Sequence, residues 1–372
     1  MRVLSVQMRD FRTYARAEAA LGPGLTVVYG PNGAGKSNLL EALYFGCTGR
    51  SPRTRNEREL VRFDAQAARV VVRCEDGGEA HELSVGYGPG PEGARAEKRM
   101  SADGAAVERL LDVEFRPLLS VFEPDRLELL KGPPAVRRAH LDQVVAAIRP
   151  LRANDRREYS RVLAQRNALL ARIRAGRASQ ATLAAWDREL AAAAITVREH
   201  RAETVALLAE PFSARAAQLG LAGVAALEYR PRSRAVDVEE FVVELQVRLP
   251  SDLERGFSGH GPHRDELAVL RERRELRLYG SQGEQRLALL ALLLAERDVL
   301  ARERGRTPLM LLDDVMSELD AERRELLAAE LCSGGQSVIA TTDLAHVPGG
   351  SGARVTRLRV SPGTILQEAL AA

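Results

Sequence analysis

The chain has 372 residues, 45% of them hydrophobic and only 4% aromatic, with a formal net charge of +3. Such a length suits two domains, or one large domain with an insertion, around a core built mainly of Leu, Val and Ala. It has no run of about eighteen or more apolar residues, no apolar signal-peptide core in Met1–Asp10, and three scattered cysteines (Cys47, Cys74, Cys332); these features argue against a membrane span, secretion and a paired-cysteine metal hook, and suit a reducing cytoplasm.

Lysine occurs only at positions 36, 98 and 131, so the basic charge is almost all arginine. With the alanine excess this reads as a GC-rich codon bias, and arginine richness alone is no nucleic-acid signal. It makes Lys36 informative, a compact point charge kept where a phosphate binder is needed.

Residues 1–30 read as two strands joined by a turn around Gly22-Pro23-Gly24. The apolar run Leu25–Tyr29 leads into Gly30-Pro31-Asn32-Gly33-Ala34-Gly35-Lys36-Ser37, a complete G-x-x-x-x-G-K-[ST] phosphate-binding loop. A helix is expected from Lys36, with Leu39, Leu40, Ala42 and Leu43 on its apolar face. In that setting the backbone N–H groups of the turn point at a triphosphate and the helix N-terminus adds its dipole. Lys36 reaches the outer phosphates and the Ser37 hydroxyl ligates magnesium, with Asn38 continuing the segment. Residues 69–110 alternate short β-like runs with turns, including a Gly/Pro-rich loop at 88–94, and predict antiparallel sheet.

From Ala135 to about Leu219 the apolar spacing becomes helical, with Arg174–Ser179 as a turn, and predicts an antiparallel helical hairpin of modest length. Mixed β and α structure returns near Leu227, with strands at Leu309–Leu312 and Val338–Thr341. The expectation is an α/β core with mixed sheets, residues 1–134 and 220–372, split by a helical arm at 135–219.

Leu309–Leu312 ends in Asp313 and Asp314. Asp313 is placed to hold magnesium directly or through water, and Asp314 to orient or deprotonate the attacking water. Ser281-Gln282-Gly283-Glu284 precedes a long apolar helix and has the spacing of a capping box, itself an anion site when a glycine adjoins it. The segment also resembles the signature of ABC-type ATPases, and Ser317–Asp320 resembles the short loop that crosses to a partner subunit in that superfamily. Thr342 stands where its switch histidine usually stands, which speaks against fast hydrolysis, and Phe122-Glu123-Pro124-Asp125 is the best positional match to its Gln-containing loop. The resemblance implies two chains associated head to tail, each ATP lying between one chain's phosphate loop and the Ser281, Gly283 and Glu284 segment of the other.

Further motifs are similar to those of the RecF family: Phe11-Arg12-Thr13-Tyr14, Ser37–Ala42, Gly49–Thr54, Pro124–Asp142 (with departures at Pro133 and His140), Gly261–Asp265 and Ser317–Leu326. Membership implies an ATP-dependent DNA-binding protein with slow ATPase activity and an ATP-dependent homodimer. It would recognise duplex DNA or duplex beside a single-stranded gap and, with RecR and RecO, help load RecA. Arg12 pairs with nucleotide phosphate or with a carboxylate, and its place in the family pattern points to the nucleotide. His260, His263 and Asp265 lack a further ligand group for a metal. Arg137 and Arg138 are solvated helix charges or phosphate contacts, and Arg50, Arg53 and Arg55 form a basic loop open to DNA. The rival readings are a transporter ATPase subunit and a short SMC-like chromosome protein; the arm, its modest length and the missing histidine argue against them.

Overall fold

Alternating burial along Arg2–Phe11 (β1), with Val3, Val6, Met8 and Phe11 inward, makes the first strand of a computed structural model that describes residues 1–90, 96–350, 352 and 355–368, with the side chains of Pro124 and Asp125 also outside that set. β1 pairs antiparallel with Tyr14–Ala20 (β2). The two-strand expectation for residues 1–30 is therefore corrected to three strands, because the chain already reverses at Arg12-Thr13. That turn carries no glycine or proline; Asp10 and Arg12 adopt φ of 48° and 51° instead. Leu25–Tyr29 (β3) then leads through the phosphate loop into Lys36–Thr48 (α1), which ends on Gly49 in the left-handed region, where a side chain is strained. Antiparallel strands follow at Ala68–Asp76 (β4), Glu79–Gly88 (β5), Glu97–Ala102 (β6) and Ala105–Ala106 (β7), giving a sheet in the order β2-β1-β4-β5-β6-β7. Residues 91–94 of the expected loop lie outside the described residues. Leu119–Phe122 (β8) closes this part of the chain.

The chain divides into two compact units, residues 1–126 with 300–372 and residues 127–299. The second opens with Glu128–Lys131 (α2) and Pro134–Ile148 (α3), whose proline occupies the first helical turn, where its missing N–H is harmless. Ala153–Arg174 (α4) and Leu183–Gln218 (α5) form the expected hairpin, but α3 adds a third helix because the chain breaks at Arg149-Pro150. Tyr159, Val162, Leu190, Ala194, Phe241 and Leu245 share one apolar core, the last two from Val238–Arg255 (α6). Arg166 is fully buried in this unit and held by Asp187 (2.7 Å), Asp252 (2.9 Å) and Ser258 (2.7 Å). Arg137, read as a solvated or phosphate-facing charge, is instead buried and paired with Glu266 at 2.7 Å.

Ala225–Arg230 (β9), Glu266–Arg271 (β10) and Arg274–Glu275 (β11) make a small antiparallel sheet, ordered β11-β10-β9. Leu276–Tyr279 (α7) precedes Gln282–Arg304 (α8), where every residue from Leu287 to Leu294 is buried, as expected of a helix apolar on all sides. The chain re-enters the first unit within α8 and continues through Leu309–Asp313 (β12), Ala321–Ser333 (α9), Ser337–Thr341 (β13), Thr356–Ser361 (β14) and Thr364–Gln367 (β15). These complete a second six-stranded sheet, β15-β14-β3-β13-β12-β8, parallel except where β15 pairs with β14. Its inner strands are buried on both faces, which is why they read as continuous apolar runs rather than alternating ones. The parallel order sets the carboxyl ends of β3, β8, β12 and β13 along one edge.

Candidate nucleotide-binding site

The phosphate loop occupies that edge at the end of β3. Gly30 is required by contact: a Cβ there would sit 2.2 Å from the Val360 carbonyl oxygen. Gly33 and Gly35 adopt φ of 77° and 115°, conformations that other residues rarely tolerate. Pro31, Asn32 and Gly33 are exposed at the crest, while Ala34, whose N–H donates to the Pro31 carbonyl at 3.2 Å, is buried beneath it. Gly35 caps α1, and its carbonyl oxygen accepts from the Leu39 N–H and from the buried Tyr14 hydroxyl, both at 3.0 Å. Asn38 donates to Thr13 Oγ1 at 3.0 Å, so the β1–β2 turn braces the loop at two points.

The Lys36 ammonium donates to the Gly30 and Pro31 carbonyls at 2.9 and 3.0 Å. Burial lowers its pKa, opposed by the negative charges of Asp314 and Asp313. Those carboxylates stand at the end of β12, and the Ser37 hydroxyl is near enough to Asp313 to favour its charged form. Two residues far apart in sequence thus meet as one oxygen-donor set suited to a hard cation. Burial raises the Asp313 pKa, opposed by the neighbouring Ser37 hydroxyl and the Arg53 charge. Asp314 has φ of 49°, strained for a residue with a side chain; its N–H donates to the Ala340 carbonyl at 3.0 Å, and its Oδ1 is buried without a hydrogen-bond partner. A buried acceptor with no donor is costly in a finished fold. It fits a site whose further donors, water or a metal-bound group, arrive with a ligand.

Glu123 follows β8, whose Phe122 is in register with Leu312, so it stands beside Asp313 at the same sheet edge. Burial and the Asp313 charge push its pKa up to about 6, against Arg53 and Arg126. Nothing but position singled out this residue in the sequence. Arg12 is engaged by a carboxylate: its Nε and Nη2 donate to Glu41 at 2.8 and 2.7 Å, and its Nη1 donates to the Glu59 carbonyl at 2.7 Å. Arg53, from the basic loop, reaches Asn38 Oδ1 at 3.2 Å. Glu41 falls within the Ser37–Ala42 family match, but nothing in the sequence assigned it a role of its own, since one acid on an apolar helix face reads as its solvated edge.

Ser281, Gly283 and Glu284 belong to the second unit. There the capping box is complete: the Glu284 N–H donates to Ser281 Oγ at 3.3 Å and the Ser281 N–H donates to Glu284 Oε2 at 2.8 Å. Glu284 is also paired with Arg271, and a Cβ at Gly283 would meet nothing within 4 Å. In the Gly261–Asp265 segment, His263 Nε2 lies 2.9 Å from the Ser258 carbonyl and Nδ1 lies 2.6 Å from the Tyr159 hydroxyl; the carbonyl can only accept, so Nε2 carries the proton and Nδ1 accepts from the tyrosine. His260 is 2.5 Å from Glu244. Among the described residues no group of three His, Cys, Asp or Glu side chains is placed to hold a metal. Thr342 lies just beyond β13, and the following Asp343 caps a short turn through the Ala345 N–H at 2.9 Å.

The family described as AAA domain matches residues 5–90. The DNA replication and repair protein RecF of Herpetosiphon aurantiacus is 35% identical over 384 residues, covering 98% of this chain and 99% of that protein. Its namesake in Anaeromyxobacter dehalogenans is 38% identical over 379 residues, with the same coverage. A solved structure described as the recombination mediator protein RecF-ATPrS in the RecFOR pathway superposes with a TM-score of 0.84 at 27% identity, over 99% of this chain and 98% of that one.

Proposed function

The chain belongs to the RecF family of DNA replication and repair proteins, and on that basis we propose that it is an ATP-dependent DNA-binding protein of recombinational gap repair. The observation that carries most weight is similarity to RecF proteins over nearly the whole chain, together with a phosphate loop and a carboxylate pair at the carboxyl ends of β3 and β12 in one parallel sheet. Such relatives do not favour the transporter or chromosome-organising alternatives. In this reading residues 1–134 and 220–372 form the ATPase head and residues 135–219 the arm.

Lys36 exchanges its two loop carbonyls for the outer phosphates of ATP, while the N–H groups of Gly33, Gly35, Lys36 and Ser37 face the anion. Asn38 and Arg12 flank the same loop. Ser37 and Asp313 would hold a magnesium ion, which would supply positive charge against the phosphates. Asp314, with one carboxylate oxygen unpartnered, orients the attacking water or accepts its proton. The capped Ser281 helix, with Gly283 and Glu284 in its first turn, meets the terminal phosphate of ATP held by a second copy. ATP thus favours a head-to-tail homodimer because it binds that state better than the separate chains. The dimer aligns two DNA-binding surfaces and grips duplex or gapped DNA chiefly through phosphates. RecR and RecO act with it to load RecA, and slow hydrolysis, consistent with Thr342 in place of a histidine, resets it.

The test is DNA affinity, measured by fluorescence anisotropy on gapped, duplex and single-stranded substrates with ATP, ADP and no nucleotide. Tighter binding with ATP, weakening steeply as salt rises, is expected. Equal affinity in the three states overturns the gating mechanism.

A further inference from the structure

Glu41 is a carboxylate buried in the middle of α1, with its side chain wholly shielded from solvent. Its Oε1 accepts from Arg12 Nη2 at 2.7 Å and from Ser51 Oγ at 2.6 Å, and its Oε2 accepts from Arg12 Nε at 2.8 Å and lies 3.5 Å from Arg53 Nη1. All these donors come from segments that flank the phosphate loop. Arg12 belongs to the turn whose Thr13 and Tyr14 touch Asn38 and Gly35. Arg53 also touches Asn38, and its charge is felt by Asp313 and Glu123. Ser51 Oγ in turn accepts from the Arg53 and Thr54 N–H groups at 3.0 and 3.1 Å, so the same carboxylate fixes the backbone that carries Arg53.

We infer that Glu41 is a positioning residue of the nucleotide site: its carboxylate sets the place and direction of the Arg12 and Arg53 guanidiniums beside the bound phosphates. A fork-to-fork pair fixes the plane of a guanidinium as well as its position, which one hydrogen bond does not do. The inference rests on the nucleotide role proposed above for Arg12; an ion pair serving stability alone would leave nucleotide affinity unaltered once the fold is intact.

A double-mutant cycle separates these readings. Affinity for a fluorescent ATP analogue is measured for the parent, Arg12→Ala, Glu41→Gln and the double variant, with melting temperatures recorded without nucleotide. Glu41→Gln is expected to weaken binding about tenfold, a difference of about 1.4 kcal/mol. The double variant should then bind worse than Arg12→Ala by less than Glu41→Gln costs in the parent, because the part of its effect that passes through Arg12 is already lost and only the Arg53 part remains. Glu41→Asp, which keeps the charge but shortens the reach, serves if Glu41→Gln fails to fold, and should also bind more weakly. Parental affinity in a folded Glu41 variant, or full additivity in the cycle, overturns the inference. Parental affinity in Arg12→Ala removes its premise and leaves the phosphate-loop site standing, whereas a parent that binds no nucleotide overturns the site as a whole.

Discussion

Asp314 concentrates what is unusual about the site in one residue, with a strained backbone and a buried oxygen that lacks a donor. Asp314→Asn is expected to leave ATP affinity within a few-fold of the parent and to lower kcat by about 10²–10⁴-fold, the range for a lost general base; single-turnover hydrolysis and equilibrium binding measure both. Lys36→Met removes the only ammonium on the loop and should abolish nucleotide binding. Glu123 gives a pH signature. Its folded pKa of about 6 lies above the ordinary value of 4.5, so the native state holds its proton more tightly than the unfolded chain does. Stability from this group is present at low pH and is lost as pH rises from about 4.5 through about 6. Glu123→Gln should therefore melt near the parent at the acid end of that window, and above the parent at pH 7, in thermal scans without nucleotide. At this scale the phosphate loop was legible because its residue types, order and flanks are local. Glu41 and the reversal at Arg12-Thr13 were not, since a buried acid and a glycine-free turn at positive φ are held by partners that sequence spacing does not announce.

Elements were legible where burial imposed one period. β3, β12 and β13 appeared as short apolar runs because a central parallel sheet buries both faces, and α8 appeared as a long apolar segment following its N-terminal cap. The arm was only partly legible: α4 and α5 followed the helical spacing, whereas the separation of α3 depended on a break at Arg149-Pro150. Charge misled at Arg137, which resembles a solvated or phosphate-facing arginine until Glu266 pairs with it. Arg166→Ala would strand the Asp187 and Asp252 carboxylates, whose side chains are only 5% and 2% exposed. Truncating one partner of a buried ion pair costs about 3–5 kcal/mol, so a clear fall in melting temperature is expected. For the signature helix, Ser281→Arg should keep parental ATP affinity in each chain and lose ATP-dependent association, as read by equilibrium binding beside light scattering.

For the whole molecule, ATP is proposed to act as the joint between two copies, gripped by the phosphate loop, Ser37 and the β12 carboxylates of one chain and by the Ser281 helix of the next. The sequence offered the two proposed half-sites as separate motifs, and the expectation that they meet came from the family resemblance alone, because spacing within one chain cannot report an association of two. The most direct measurement is the solution mass of the Asp314→Asn variant by light scattering, with saturating ATP and magnesium, with ADP, and without nucleotide. A two-chain mass with ATP alone, collapsing to one chain when Ser281→Arg is added, is the predicted result. One mass in all three conditions, with ATP demonstrably bound, would contradict it.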